Sequence, residues 1–178
     1  MGQLTLVVGG VRSGKSRFAE QLAAGHEPVV YLATAQAGDE EMARRIERHR
    51  ERRAEERRGW RTVEEPWDIA AAVRMHGTTG CTLIECLTLW LTNRITGLPG
   101  RPPQMDAEVI AAADELIAAV RNGPARVIVV SNETGCGIMP ANALARRFGD
   151  LLGEANQRLA AAADDVYCCI AGIPVRIK

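Results

Sequence analysis

Gly9-Gly10-Val11-Arg12-Ser13-Gly14-Lys15-Ser16 is the stretch on which the reading of this chain turns. It fits the pattern GxxxxGK[ST], and its flanks fit too: the apolar run LTLVV at 4–8 precedes it, and the helical pattern KSRFAEQLA follows from Lys15. Glycines let a backbone curl until successive N–H groups converge on an anion, and a helix starting just beyond adds its positive end. In such a loop the lysine reaches the β and γ phosphates of a nucleoside triphosphate and the hydroxyl of the last residue coordinates Mg²⁺. Lys15 and Ser16 take those places here. The chain carries twenty arginines and only two lysines, Lys15 and Lys178. A compact charge on a flexible stem suits the loop, and a guanidinium fork does not.

Working outward, strand-length apolar runs recur at 4–8, 29–34, 81–85, 126–131, 166–171 and 175–177, and helical patterns lie between them at 15–24, 40–58, 67–75, 87–95, 107–121 and 141–163. This alternation predicts an α/β protein with a mostly parallel central sheet flanked by helices. The strands lack polar alternation, so both of their faces should be covered. Gly25, Gly77, Gly97 and Gly123 stand where helix C-caps belong, and 97–104, rich in glycine and proline, reads as a surface connection. At 178 residues, 47% of them apolar, the chain is expected to be one soluble domain spanning 1–178.

Charge excludes some classes of partner. Twenty-two basic and twenty-two acidic side chains cancel, so no global field draws the molecule to nucleic acid or to an anionic membrane. Any bound anion must be held locally. The five cysteines form no CxxC pair, which suits reduced thiols of a cytoplasmic protein, and the run at 4–8 is too short for a leader or a membrane span. A partner acid for the phosphate loop is expected at the end of another strand. Glu85 is the first choice and Glu133 the competitor. The stretch 39–65 holds nine arginines and nine acids, and by spacing alone it is a solvated helix laced with i,i+4 pairs.

Beyond GGVRSGKS at 9–16, the chain carries YLATA at 31–35, RIERHR at 45–50, WRTVEEP at 60–66, IECLTLWLTN at 84–93, SNETGCGIMPANALARRF at 131–148 and NQRLAAAADDVYCCIAGIPVRIK at its end. In these stretches it resembles the bifunctional adenosylcobinamide kinase and adenosylcobinamide-phosphate guanylyltransferase family of cobalamin biosynthesis. The resemblance implies two reactions. The γ-phosphate of ATP or GTP passes to the hydroxyl of the aminopropanol arm of adenosylcobinamide; GMP from GTP is then joined to that phosphate, through a GMP-histidine intermediate, with release of pyrophosphate. It further suggests a homo-oligomer of trimeric form acting on small-molecule substrates; the loop reading puts Mg²⁺ at Ser16 and Glu85, and no nucleic acid and no membrane span are expected.

Residue by residue, the resemblance implies His49 as the nucleophile, with Lys15 as the other catalytic group. Nucleotide contacts carry over to Gly9, Gly10, Val11, Arg12, Ser13, Gly14, Lys15 and Ser16, to Ala33, Thr34 and Ala35, to Arg50, Glu51, Arg52 and Arg53, and to Glu64 and Glu85. Spacing alone would make His49 a solvent-facing residue of a charged helix. On a helix its neighbours are Arg45, Ile46, Arg52 and Arg53, and three cations oppose protonation of an imidazole that must be neutral to attack phosphorus. His26 and His76 fall at helix ends and receive no chemical role. Two other readings stand beside this one: a nucleotide-dependent switch without transfer chemistry, and a guanylyltransferase that lacks the kinase step.

Overall fold

The computed structural model describes residues 2–36 and 59–178 and, between them, Glu40, Arg44, Glu47, Arg50 and Glu51, which are helical. In chain order the described elements are β1 (Gln3–Gly9), α1 (Lys15–Ala24), β2 (Val29–Ala33), β3 (Arg61–Glu64), α2 (Ile69–His76), β4 (Cys81–Glu85), α3 (Leu87–Thr96), α4 (Asp106–Asn122), β5 (Arg126–Val130), α5 (Ala143–Ala162), β6 (Asp165–Ile170) and β7 (Ile173–Arg176). The strands form one sheet in the order β3-β2-β4-β5-β1-β6-β7. Every pairing is parallel except β6 with β7. The expected α/β architecture is therefore the observed one.

Period-two alternation splits the buried side chains between two cores. Leu4 and Leu6 of β1, Leu32 of β2, Ile84 of β4 and Val127 and Val129 of β5 face a cluster completed by α2, α3, α4 and α5. Val7, Tyr31, Leu83, Ile128 and Val130 point the other way, onto Ala19 and Ala23 of α1. Phe18 of α1 meets Tyr167 of β6 edge to face, with centroids 5.0 Å apart. Strands packed on both faces explain why the sequence shows unbroken apolar runs.

Four of the helices end where glycine was expected to end them: Gly25, Gly77, Gly97 and Gly123 are the C-caps of α1 to α4. Starts are less well anticipated. The helix expected from 67 begins at Ile69, because the Asp68 carboxylate accepts the Ala71 N–H at 3.0 Å as N-cap. The helix expected from 141 begins at Ala143, capped in the same way by Asn142. The final strand runs from Ile173 to Arg176 rather than 175–177, pulled back by a tight turn at Ala171 (φ 51°) and Gly172 (φ 84°) that pairs β7 with β6.

β3 has no counterpart among the expected strands and corrects the reading of 39–65 as one charged helix. Its sequence, RTVE, closes that charge-rich stretch, and only Val63 is even half-buried. An edge strand needs one apolar face at most, so hydrophobic pattern gives it no signal.

α3 brings a buried cation into the core. Arg94 is 7% exposed and lies over the rings of Trp67 and Trp90, 5.1 and 4.9 Å from their centroids. Its guanidinium donates to the Gln104 side-chain oxygen at 2.7 Å and to the Trp67 carbonyl at 2.9 Å. These contacts hold the connection at 97–104 and the segment before α2 against the end of α3.

Candidate active site

Parallel strands in register present their C-terminal ends along one edge. Glu64 of β3 pairs with Ala33 of β2, Ala33 with Glu85 of β4, Glu85 with Val130 of β5, and Val130 with Val7 of β1. One row across the sheet therefore collects Ala33, Glu64 and Glu85 at the same edge as the strand that feeds the phosphate loop, with β5 between. Clefts beyond the carboxyl ends of parallel strands are where such sheets bind ligands.

The loop itself has the conformation its glycines permit. Gly14 sits at φ 92°, and a Cβ there would stand 3.0 Å from the Gly172 Cα. At Gly9 a Cβ would meet the Ser13 Oγ at 2.5 Å and the Cys169 carbonyl oxygen at 2.7 Å, so no larger residue fits. The Ser13 N–H donates to the Gly10 carbonyl at 3.2 Å, curling the loop, and the Gly172 N–H donates to the Ser13 carbonyl at 2.9 Å, bracing it from the β6–β7 turn. Arg12 is left-handed at φ 57° and Val11 at the tip is 73% exposed. Lys15 is nearly buried and its Nζ donates to the Gly10 carbonyl at 3.3 Å, folded back over the cradle. The Ser13 hydroxyl is buried with no hydrogen-bond partner among the described residues.

Across this cradle, the Ser16 hydroxyl donates to Glu85 Oε1 at 2.6 Å. β5 lies between β4, which ends in Glu85, and β1, which leads into the loop. Glu133, the competing acid, is engaged locally: its Oε1 accepts the Gly135 N–H at 2.8 Å, and its own N–H donates to the Gly9 carbonyl at 3.1 Å. Geometry therefore joins Glu85, and not the Glu133 carboxylate, to the loop serine.

Next to Glu85 stands Cys86, joined to it by a cis peptide bond. Burial and the neighbouring Glu85 charge push the Cys86 thiol up to about 11, which keeps it protonated at neutral pH. Arg50 pairs with Glu64, and it approaches Glu47 at 3.7 Å. These carboxylates hold the Arg50 guanidinium above its ordinary value, its bond to Glu64 contributing most. Two of the residues expected to touch nucleotide are thus in contact with each other. Glu51 is exposed. His49, Arg52 and Arg53, with Arg45 and Ile46, lie outside the described residues.

Several supports were not anticipated. Thr88 Oγ1 accepts the Asn132 N–H at 3.0 Å, and Asn156 of α5 accepts the Ser131 hydroxyl at 2.7 Å while donating to the Asn132 carbonyl at 3.0 Å. These bonds fix the end of β5 beside the loop. No local motif announces them, because each partner lies far away in the chain.

A mostly parallel sheet with a glycine-rich phosphate loop after its first strand, and a carboxylate from a non-adjacent strand bonded to the loop serine, defines a P-loop nucleotide-binding protein. Consistent with that class, a solved structure of a prototypical ATPase from the type III secretion system of pathogenic bacteria superposes with a TM-score of 0.56 at 14% identity, over 99% of this chain and 57% of the other. That likeness concerns the fold. Within the class, residues 5–177 match the family described as cobinamide kinase / cobinamide phosphate guanyltransferase, and the chain belongs to that family. It is 46% identical to the bifunctional adenosylcobalamin biosynthesis protein CobP of Pseudomonas aeruginosa, over 97% of this chain and 96% of that one. It is 42% identical to the bifunctional adenosylcobalamin biosynthesis protein CobU of Escherichia coli, over 98% of this chain and 99% of that one. The Salmonella typhimurium protein of the same name is 44% identical over the same shares.

Proposed function

We propose that this chain performs both transfers of its family at the sheet edge described above. In the first, the γ-phosphate of ATP or GTP passes to the hydroxyl of the aminopropanol arm of adenosylcobinamide. In the second, GMP from GTP is joined to the new phosphate and pyrophosphate leaves. The observation that carries this reading is the Ser16–Glu85 hydrogen bond across the phosphate loop, which brings the loop serine to a strand-end acid. The loop N–H groups and Lys15 bind and orient the β and γ phosphates, where negative charge gathers as either phosphoryl bond breaks.

Ser16 and Glu85 offer a hydroxyl and a carboxylate. Both are hard oxygen donors of the kind Mg²⁺ takes when phosphate oxygens and water fill its remaining positions. They would hold the ion, which supplies charge neutralisation on the triphosphate.

His49 is the nucleophile of the second transfer. Its imidazole attacks the α-phosphorus of GTP as the bond to pyrophosphate breaks, and the phosphate of the phosphorylated substrate then displaces histidine from GMP. The imidazole must be neutral to attack. Arg50, braced by Glu64, stands one residue away in sequence to meet phosphate oxygens. The protein acts as a homo-oligomer, a trimer by family likeness. Ile173 and Val175 of β7 and Ile177 just beyond it support association: they stand at alternate positions along the sheet edge, all exposed.

The test is incubation with Mg²⁺ and GTP labelled at the α-phosphate, followed by denaturation and peptide mapping. A label on His49 is expected, together with separate formation of phosphorylated adenosylcobinamide. Slow hydrolysis with neither product would favour a nucleotide switch, and an adduct without kinase activity would favour a guanylyltransferase alone.

A further inference from the structure

Thr34 follows β2 and its side chain is fully buried, at 0% exposure. Its hydroxyl donates to the Cys86 carbonyl at 2.7 Å and accepts the Cys86 N–H at 2.9 Å. The Thr34 N–H in turn donates to the Glu85 carbonyl at 3.1 Å. The Glu85–Cys86 peptide is therefore held at both of its polar ends by the one residue that follows the neighbouring strand β2. Thr34 is itself fixed: Asn93 Nδ2 of α3 donates to its carbonyl at 3.0 Å and to the Pro66 carbonyl at 3.0 Å. A hydroxyl has one proton to donate, and here that proton is used. Burial and occupancy together leave the side chain unsuited to touching a nucleotide.

Glu85 is the last residue of β4, where the ladder that orients it ends. Beyond a strand end the backbone turns freely unless something else ties it down, and the direction of the carboxylate turns with it. We propose that Thr34 is a positioning residue for the reaction: its hydroxyl clamps the peptide after Glu85 so that the carboxylate stays aimed at Ser16 and at the metal-bearing side of the triphosphate. The Thr34 hydroxyl acts through Glu85. The proposal rests on the reading of Ser16 and Glu85 as the metal-associated pair.

The experiment compares Thr34→Val, Thr34→Ser, Glu85→Gln and the double variant Thr34→Val/Glu85→Gln in both transfer reactions, over a range of Mg²⁺ and of GTP. Thr34→Val keeps the shape and removes the hydroxyl. It is expected to lower kcat about tenfold or more and to raise the Mg²⁺ needed for half-maximal rate severalfold, with KM for GTP within about threefold. Thr34→Ser should recover most of the loss, and in the double variant Thr34→Val should cost less than about twofold beyond Glu85→Gln alone.

Wild-type kinetics for Thr34→Val beside a crippled Glu85→Gln would overturn this proposal and leave the metal reading standing. So would a Thr34→Ser variant as impaired as Thr34→Val, or losses that multiply in the double variant. Wild-type rates for Glu85→Gln would overturn both. Near-UV circular dichroism reports whether Thr34→Val folds. If it does not, Thr34→Ser decides, and a severalfold rise in its Mg²⁺ requirement overturns the proposal.

Discussion

The hydroxyl of Ser16 and the carboxylate of Glu85 meet at 2.6 Å, joining the first turn of α1 to the end of β4 across 69 positions of sequence. A serine at that place in a phosphate loop would be ordinary on its own. Bonded to a strand-end carboxylate from two strands away, it becomes half of the pair proposed above to hold Mg²⁺. Glu85→Gln keeps the side-chain shape and discards the charge, so rates of both transfers should fall at least about tenfold, with partial recovery as Mg²⁺ is raised. Steady-state assays over a Mg²⁺ series would check this.

Lys15 lies folded over the loop with its ammonium on the Gly10 carbonyl, a contact it can exchange for phosphate oxygens. Lys15→Ala should lower kcat/KM for triphosphate in both reactions by on the order of a hundredfold or more, with the fold retained. Full activity of this variant would remove the phosphate-loop assignment.

For the second transfer the discriminating variant is His49→Ala. It should abolish α-phosphate labelling while kinase activity stays within about tenfold of wild type, equivalent to ~1.4 kcal/mol or less, because γ-phosphate transfer does not pass through the imidazole. An adduct mapped to His26 or His76 would contradict it.

Acid stability should depend on Asp164. Its carboxylate accepts the Leu4 N–H at 2.8 Å and pairs with Arg121 at 3.0 Å. The Leu4 bond foremost, with help from Arg121, holds its pKa below the ordinary aspartate value. A depressed carboxylate stabilises the fold above its unfolded pKa, and the contribution disappears as pH falls through the lower folded value. Asp164→Asn should therefore cost about 1 kcal/mol at pH 7, solvent screening of the part-exposed pair keeping the cost small, and progressively less below about pH 4. Urea titrations of both proteins at several pH values would measure the convergence.

Thiol chemistry should sort by burial. Burial pushes the Cys81 thiol up to about 12 and the Cys86 thiol up to about 11, whereas Cys136 is exposed in the loop beyond β5. Iodoacetamide at pH 7.5 should modify Cys136 first and leave Cys81 and Cys86 intact until the protein unfolds, as mass spectrometry of digests would reveal.

What the sequence determined by itself was short-range. The pattern at 9–16 with its flanking strand and helix, the apolar runs of the buried strands and the four glycine caps are each written within a few residues of chain, where backbone sterics and hydrophobic period act directly. Family likeness, spread over nearly the whole chain, named the transfers and the residues to examine. β3 escaped because an exposed edge strand carries no apolar stripe, and α2 and α5 began later than expected because Asp68 and Asn142 serve as caps. Only the tertiary structure shows that the Glu85 carboxylate, and not that of Glu133, meets the loop serine, since both acids follow apolar strands and sequence cannot say which one reaches it. The bracing of Ser13 by Gly172 and the clamp of Thr34 on Cys86 were likewise decided in three dimensions. The physical reason is strand register: parallel pairing sets residues distant in sequence side by side at one sheet edge, and nothing in the local chain specifies which strands become neighbours.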